Sequence, residues 1–365
     1  MAPEIWKSRE ALSQFLRETV VFISEYEESG KKKYRYRNVW NPVVLGLTSD
    51  YIRESFIRLG VNEALIETMD FDVSFKGPGE TLSLQRVCNI IVEIKGCRYP
   101  EEIIIVGAHY DSRVTMEKQR GDTPIQGDKT VPCHWNTPGA NDNGSGIAAL
   151  LAFGAAFAGK KPDRTLRLIA WVNEEFPFYS NRFAGEGKAY YADGMGSYRH
   201  AQRCADGNGT GRRENIIGVV ALDTLGCYSQ SRGLYPGGSP ANKLLLGLLG
   251  FPLKKDYVAF LSDAPSKRLV HQFQACYDRD PEVRSFARSV PRMLNWMLRK
   301  KGGWSDDWAY WDSGYPGFTV TDTAYVRSAN YHTENDTAAH MNFPEFSKVV
   351  WRLRAVIEAF TENKL

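Results

Sequence analysis

Ile103-Ile-Ile-Val-Gly-Ala-His-Tyr-Asp-Ser112 is the stretch that decides the fold. Its first four residues are apolar without alternation, as in a strand covered on both faces. A histidine and a carboxylate, His109 and Asp111, follow where that strand must end. Working outward, the same grammar recurs. Leu166-Arg-Leu-Ile-Ala-Trp-Val172 runs into Asn173-Glu174-Glu175, and Ile216-Ile-Gly-Val-Val-Ala-Leu222 runs into Asp223. Between the first two lies Thr137-Pro-Gly-Ala-Asn-Asp-Asn-Gly-Ser-Gly146, a tight turn feeding the apolar helix Ile147 to Phe157. Strand and helix alternate, which predicts an α/β fold, a mostly parallel (mixed) central sheet sandwiched by helices. In such sheets ligands collect beyond the carboxyl ends of the strands. His109, Glu174, Glu175 and Asp223 would then share one rim with Asp142 of the connecting turn.

The remaining chain fits around this core. Apolar positions at helical spacing run from Ser8 to Glu28. Ser49 or Asp50 can cap a helix reaching Leu59. Ile66 to Phe75 and Cys88 to Ile94 read as strands, and Pro316 to Val320 as a last short one. Helices are expected at Ala241 to Leu249, within Asp280 to Lys300 from a start near Pro281, and from Phe343 to Phe360. Val114 to Cys133 is patternless and reads as a loop. Residues 1–365 are taken as one domain, with 1–85 as its N-terminal helical and strand part and 176–213 as a lid or specificity insert.

Composition narrows the function classes. The 365 residues are 43% hydrophobic and 24% charged, ample for a large core. Forty-six basic against 43 acidic residues leave a net charge of +3, which favours neither nucleic acid nor an anionic membrane. No apolar run is long enough to span a bilayer. The first residues carry no signal-peptide core, so the expectation is a cytoplasmic protein or the mature form of an exported one. Six cysteines are scattered without CxxC spacing and read as free thiols.

Two histidines with several carboxylates and no cysteine form a donor set that suits zinc, with manganese or cobalt as alternatives. Five ligands, one of them a bridging carboxylate, can hold two ions about 3.5–4 Å apart with a water between them. Asp111 is placed to accept the other imidazole N–H of His109. Of the pair Glu174-Glu175, one carboxylate can bind metal while its neighbour serves as general base. Asp142 taken alone could equally be a helix N-cap.

Gly107–Ser112, Gly139–Gly146, Asn173-Glu-Glu175, Leu222-Asp223 and Tyr331-His332-Thr-Glu-Asn-Asp336 are together similar to the successive motifs of the M28 family of co-catalytic zinc aminopeptidases. They come in family order and cover roughly Asn89 to the C-terminus. The resemblance implies Asp142 as bridging ligand, with His109, Glu175, Asp223 and His332 completing a two-zinc site. Glu174 matches the general base and Asp111 the carboxylate behind the histidine. It implies hydrolysis of N-terminal residues from peptides with a free N-terminus, by a metal-bridged water that Glu174 activates. One departure is Trp304-Ser-Asp-Asp-Trp308, where Asp307 stands at the position of a histidine in many relatives. Tyr179, Phe183, Trp304, Trp308 and Trp311 are candidates for a specificity pocket or for core. His134, His200, His271 and His340 are read as non-ligands. A glutaminyl cyclotransferase-like enzyme with one zinc shares this fold and most of the ligands and stays open. So does a non-catalytic protein of the same fold.

Overall fold

The computed structural model describes residues 2–76, 82–114, 137–175, 177–178, 192–232, 250–252, 254–280, 282–290 and 304–364. An eight-stranded sheet organises them. Its strands are β3 (Ile66–Lys76), β4 (Leu82–Ile94), β5 (Tyr99–His109), β6 (Arg164–Trp171), β7 (Asn215–Leu222), β10 (Tyr257–Ser262), β11 (Arg284–Ser289) and β12 (Gly317–Thr321), in the order β11-β10-β12-β7-β5-β6-β4-β3. Two small two-stranded sheets lie apart from it, β1 (Glu25–Glu28) with β2 (Lys31–Tyr34), and β8 (Ser229–Arg232) with β9 (Lys254–Lys255).

The sheet is mixed, and its parallel part is the part that matters. β5 runs parallel to both β6 and β7, and β12 runs parallel to β7. Register sets His109 opposite Trp171 and Gly107 opposite Ala221, so these strands end together. β4 and β10 are antiparallel to their inner neighbours and form the flanks. Where strands are buried on both faces the hydrophobic run is continuous, as in Ile104, Ile105 and Val106, all 0% exposed.

Helix α4 (Gly146–Phe157) packs over β5 and β6. Nearly every residue in it is buried, which is why it is apolar all round rather than amphipathic. Each of its Leu150, Leu151 and Phe153 side chains contributes about 1.5–3 kcal/mol by leaving water. Around α4 stand α2 (Arg9–Ser24), α3 (Pro42–Arg58) and α9 (Phe343–Thr361). Ser8 caps α2 by accepting the Ala11 N–H, and Asn342 caps α9 by accepting the Glu345 N–H. In α2, Leu12, Leu16, Val20 and Ile23 face inward as their spacing predicts, but Phe22 stays 48% exposed and stacks on Tyr51. Helix α6 (Lys267–Tyr277) packs over β10 and β11, while α5 (Gly196–Ala205) and α7 (Asp307–Asp312) pack against each other.

Several sequence expectations need correction. α3 begins at Pro42, not at Ser49 or Asp50. Proline at a first helical position is preset for the turn, and Ser49 sits inside the helix, donating its hydroxyl to the Gly46 carbonyl. Within Asp280 to Lys300 the described stretch Arg284–Ser289 is strand β11, pairing with β10; residues 291–300 lie outside the described residues. The second half of the 176–213 insert contains a regular helix, α5, whose Gly196 carbonyl accepts from Asn89. Residues 179–191, the loop 115–133, His134 and the helix expected at 241–249 are outside the described residues. The five described cysteines are free thiols. No described helix is long and apolar enough to cross a membrane.

Candidate metal centre

Three parallel strand ends deliver most of the site. His109 is the last residue of β5, Glu174 and Glu175 follow β6, and Asp223 follows β7. Asp142 comes from an irregular turn, residues 140–145, leading into α4, and His332 from the loop before α9. The structure brings all six together. Asp142 stands in the middle. Its Oδ1 lies 3.3 Å from His109 Nε2, and its Oδ2 lies 3.1 Å from His332 Nε2. Asp223 Oδ1 is 4.0 Å from His109 Nε2, and Glu175 Oε1 is 3.4 Å from His332 Nε2. Two donor trios result, His109–Asp142–Asp223 and Asp142–Glu175–His332, each with its donor atoms within 4.8 Å of one another. They share only Asp142.

The turn that carries Asp142 is held from every side. Asn141 and Asn143 flank it and tie it to the end of β7. Asn143 donates to the Leu222 carbonyl, Asn141 accepts from Gly226 N–H, and the Asn141 amide donates to Asp322. Asp336 accepts the N–H groups of both Asn141 and Asp142, each with its own oxygen. Arg37, fully buried, donates to the carbonyls of Pro138 and Gly139. Gly139 has φ +63°, and a Cβ there would strike the Asp142 carbonyl, so only glycine fits. With its backbone so occupied, Asp142 does not cap α4: its side chain faces the histidines.

Asp111 organises the glutamates. Its two oxygens accept the N–H groups of Glu174 and Glu175 at 3.0 Å each, and Oδ1 also lies 3.4 Å from His109 Nδ1. Arg113 donates to Glu175 Oε2 at 3.1 Å, which turns Oε1 toward His332. Asn173, Thr224, Thr323 and His332, four of the seven non-glycine residues with positive φ among the described residues, sit on this rim. Strain of that kind persists where the surroundings overdetermine a functional geometry.

The charges do not close by themselves. Burial, then Asp142, pushes the Asp223 carboxyl up to about 8, with His109 opposing. Burial, opposed by His109 and reinforced by Glu175, Asp306 and Asp223, raises Glu174 well above the carboxylate range. Burial resists ionisation of Asp142 as well, but His109 and His332 hold it well below the usual range. Burial alone would keep His109 neutral; the charge of Glu174 and the carboxylates of Asp111 and Asp142 raise it well above its ordinary value. Meanwhile His109 Nε2, Glu175 Oε1 and Asp223 Oδ1 are buried without any hydrogen bond. Buried nitrogen and oxygen donors without a hydrogen bond fit a divalent cation, and imidazole with carboxylate and no thiolate fits zinc.

Asp307, at the departing position, accepts the Ser305 N–H and lies fully buried, so it braces its own turn. Its neighbour Asp306 is the one whose charge reaches Glu174; burial pushes that carboxyl up to about 7, with His109 opposing. Trp308 and Trp311 are core, Trp311 donating its indole N–H to the Gly317 carbonyl. Trp304 is half-buried against Tyr325; Tyr179 and Phe183 lie outside the described residues. His200 is buried in a separate cluster, and neither His271 nor His340 belongs to a donor trio. Arg37, Arg113, Asp322 and Asp336 were not singled out in the sequence for these tasks. No local signal marks a residue whose partners lie 62 to 195 positions away.

Residues 89–248 match the model of peptidase family M28. An uncharacterized Escherichia coli protein, YfbL, is 26% identical over 306 residues, 84% of this chain and 77% of that protein. A probable zinc metalloprotease of Pyricularia oryzae is 27% identical over 167 residues, 43% of this chain; the match spans 26% of that protein's own length. Among solved structures, an aminopeptidase from Aneurinibacillus sp. strain AM-1 shares the fold at a TM-score of 0.59 and 14% identity, covering 95% of this chain and 93% of that one. A glutaminyl cyclase from Fimbriiglobus ruber shares it at 0.57 and 16%, covering 96% and 95%. The matched segment holds five of the six clustered side chains, all but His332, and over that segment the chain is similar to peptidase family M28.

Proposed function

We propose that the chain is a two-zinc aminopeptidase, with His109, Asp142, Glu175, Asp223 and His332 as ligands and Glu174 as general base. One observation carries the reading: Asp142 turns one carboxylate oxygen to each of two donor trios. Zinc held there would supply Lewis-acid polarisation of the scissile carbonyl and of water. Glu174 is buried among carboxylates that raise its proton affinity, which suits it to take a proton from the attacking water and return it to the leaving amine. Asp111 fixes the backbone of Glu174 and Glu175, so the base and its neighbouring ligand keep separate tasks. The likeness to a glutaminyl cyclase fold supports cyclisation of N-terminal glutamine as a second reading.

The test measures metal per chain and hydrolysis of aminoacyl anilides on one sample, with wild type and Glu174→Gln. Two zincs per chain in both proteins, and turnover in wild type alone, is the expected result. Full turnover in the variant removes Glu174 from the mechanism. One zinc, no anilide cleavage and cyclisation of N-terminal glutamine would replace this reading with the second.

A further inference from the structure

Helix α8 (Ala324–Arg327) follows β12 and lies beside the metal centre. The Asp223 N–H donates to Val320, the Asp322 N–H donates to Thr224, and the Asp322 carboxylate accepts from Cys227, locking this corner to the end of β7. Arg327 closes the helix. It is 4% exposed, yet its Nε, Nη1 and Nη2 are all buried without a hydrogen bond. Its guanidinium lies 3.7 Å from the centroid of the Tyr257 ring, and its own carbonyl accepts from Lys255 Nζ. The hydroxyls of Tyr228, Tyr257 and Tyr325 are likewise buried and unbonded. Tyr228 interacts electrostatically with Arg327, and the Tyr325 hydroxyl feels the charges of Asp223 and Asp322. Tyr325 also packs with Trp304, Phe251 and Phe286 in a small aromatic cluster on the same side of the sheet.

A buried guanidinium with three unsatisfied nitrogens is costly unless something satisfies it. Asp256 is the carboxylate whose charge reaches it, but the two form no ion pair, and Asp256 instead stands 3.9 Å from Arg284. Burial pulls the Arg327 guanidinium down to about 9. The planar fork of an arginine, with the Tyr228 hydroxyl in electrostatic reach, matches a carboxylate in geometry and charge. We propose that Arg327, with Tyr228, Tyr257 and Tyr325, forms a carboxylate-accepting subsite beside the metal centre, so that peptides presenting an acidic group there are preferred. This rests on the peptidase reading above. The carboxylate would be an acidic side chain at the N-terminal end of the substrate or the free C-terminus of a dipeptide.

The experiment uses the metal-loaded protein, wild type and Arg327→Met, and has two readouts. The first is thermal unfolding with and without succinate. Succinate should raise the wild-type midpoint and leave that of the variant unmoved. Without succinate the variant should be as stable as wild type or more so, because an unpaired buried charge is gone. The second readout is the ratio of kcat/KM for glutamyl over leucyl anilide, and for leucyl-glycine over leucyl-glycinamide. Whichever ratio reports the natural carboxylate should fall roughly 10- to 100-fold in the variant, the worth of one charge-assisted bond. Tyr325→Phe, which keeps the ring, should lower the same ratio by less. Equal succinate shifts in both proteins, no shift in either, both ratios unchanged, or a variant that unfolds at markedly lower temperature would each overturn the subsite; the last would make Arg327 a packing residue. Wild type that cleaves none of these substrates, yet shows the succinate shift that Arg327→Met loses, would support the subsite while sinking the peptidase reading.

Discussion

Strand β6 serves two buried polar clusters, and they solve the same problem in opposite ways. Mid-strand, Arg167 donates to Glu93 at 2.5 and 2.9 Å and to Glu214 at 2.7 Å, with neutral His200 and the Cys204 thiol packed beside it. Burial opposes the Arg167 charge, but Glu214, Cys204 and Glu93 outweigh it and raise the guanidinium above its ordinary value. Burial, then Arg167 and Arg203, holds His200 well below the ordinary histidine value. That cluster closes on itself. Past the end of the same strand, Glu174 and Glu175 enter a cluster in which burial, helped by neighbouring carboxylates, raises Glu174 and Asp223 despite the opposing His109. Burial and polarity do not separate a structural network from a site; internal charge balance does.

The largest effect should come from Asp142→Asn, which keeps shape and removes the charge shared by both trios. Metal should fall at both positions and anilide turnover by at least about 1000-fold, read by elemental analysis and steady-state kinetics. Retention of one full equivalent of zinc would show that the two trios load independently and would break the contrast on the site's side. Arg167→Met strikes the other cluster. It should cost about 2 kcal/mol in denaturant unfolding, at the low end for a broken buried pair because Glu93 and Glu214 keep part of their solvent contact, while metal content stays at the wild-type level. A loss of metal in that variant would mean that the two clusters are one. Tyr310→Phe removes the hydroxyl 2.8 Å from His200 Nδ1 and should cost about 1 kcal/mol in the same measurement. No loss at all would show that His200 is satisfied without it.

Much of this was legible along the chain. The apolar strands and the polar residues just beyond them announced the sheet and its rim, because a strand buried on both faces admits no polar residue until it emerges. His109, Asp142, Glu174, Glu175 and Asp223 were named from type and position, His332 through the resemblance of its motif, and the fold gathers all six. Other parts were silent. Strand β10 and helix α6 were not read, and β11, rich in arginine and serine, passed for part of a helix because its burial is only partial and depends on pairing with β10. Arg37 looks like one more basic residue in a polar link, and nothing nearby says that it will hold the Asp142 turn.

Sequence by itself determined six of the eight strands of the central sheet, which donor atoms lie at the ends of the parallel ones and which metal those donors suit, because these depend on local hydrophobicity and residue type. Tertiary structure alone decided that Asp142 faces two histidines rather than capping a helix, that Asp111 serves the glutamate backbone as well as His109, and that Asp306 rather than Asp307 reaches the glutamates. It also decided that the Arg327 guanidinium is buried without a hydrogen bond. Each of these depends on which distant atoms occupy the remaining directions around a polar group, and that is settled only when the chain has closed on itself.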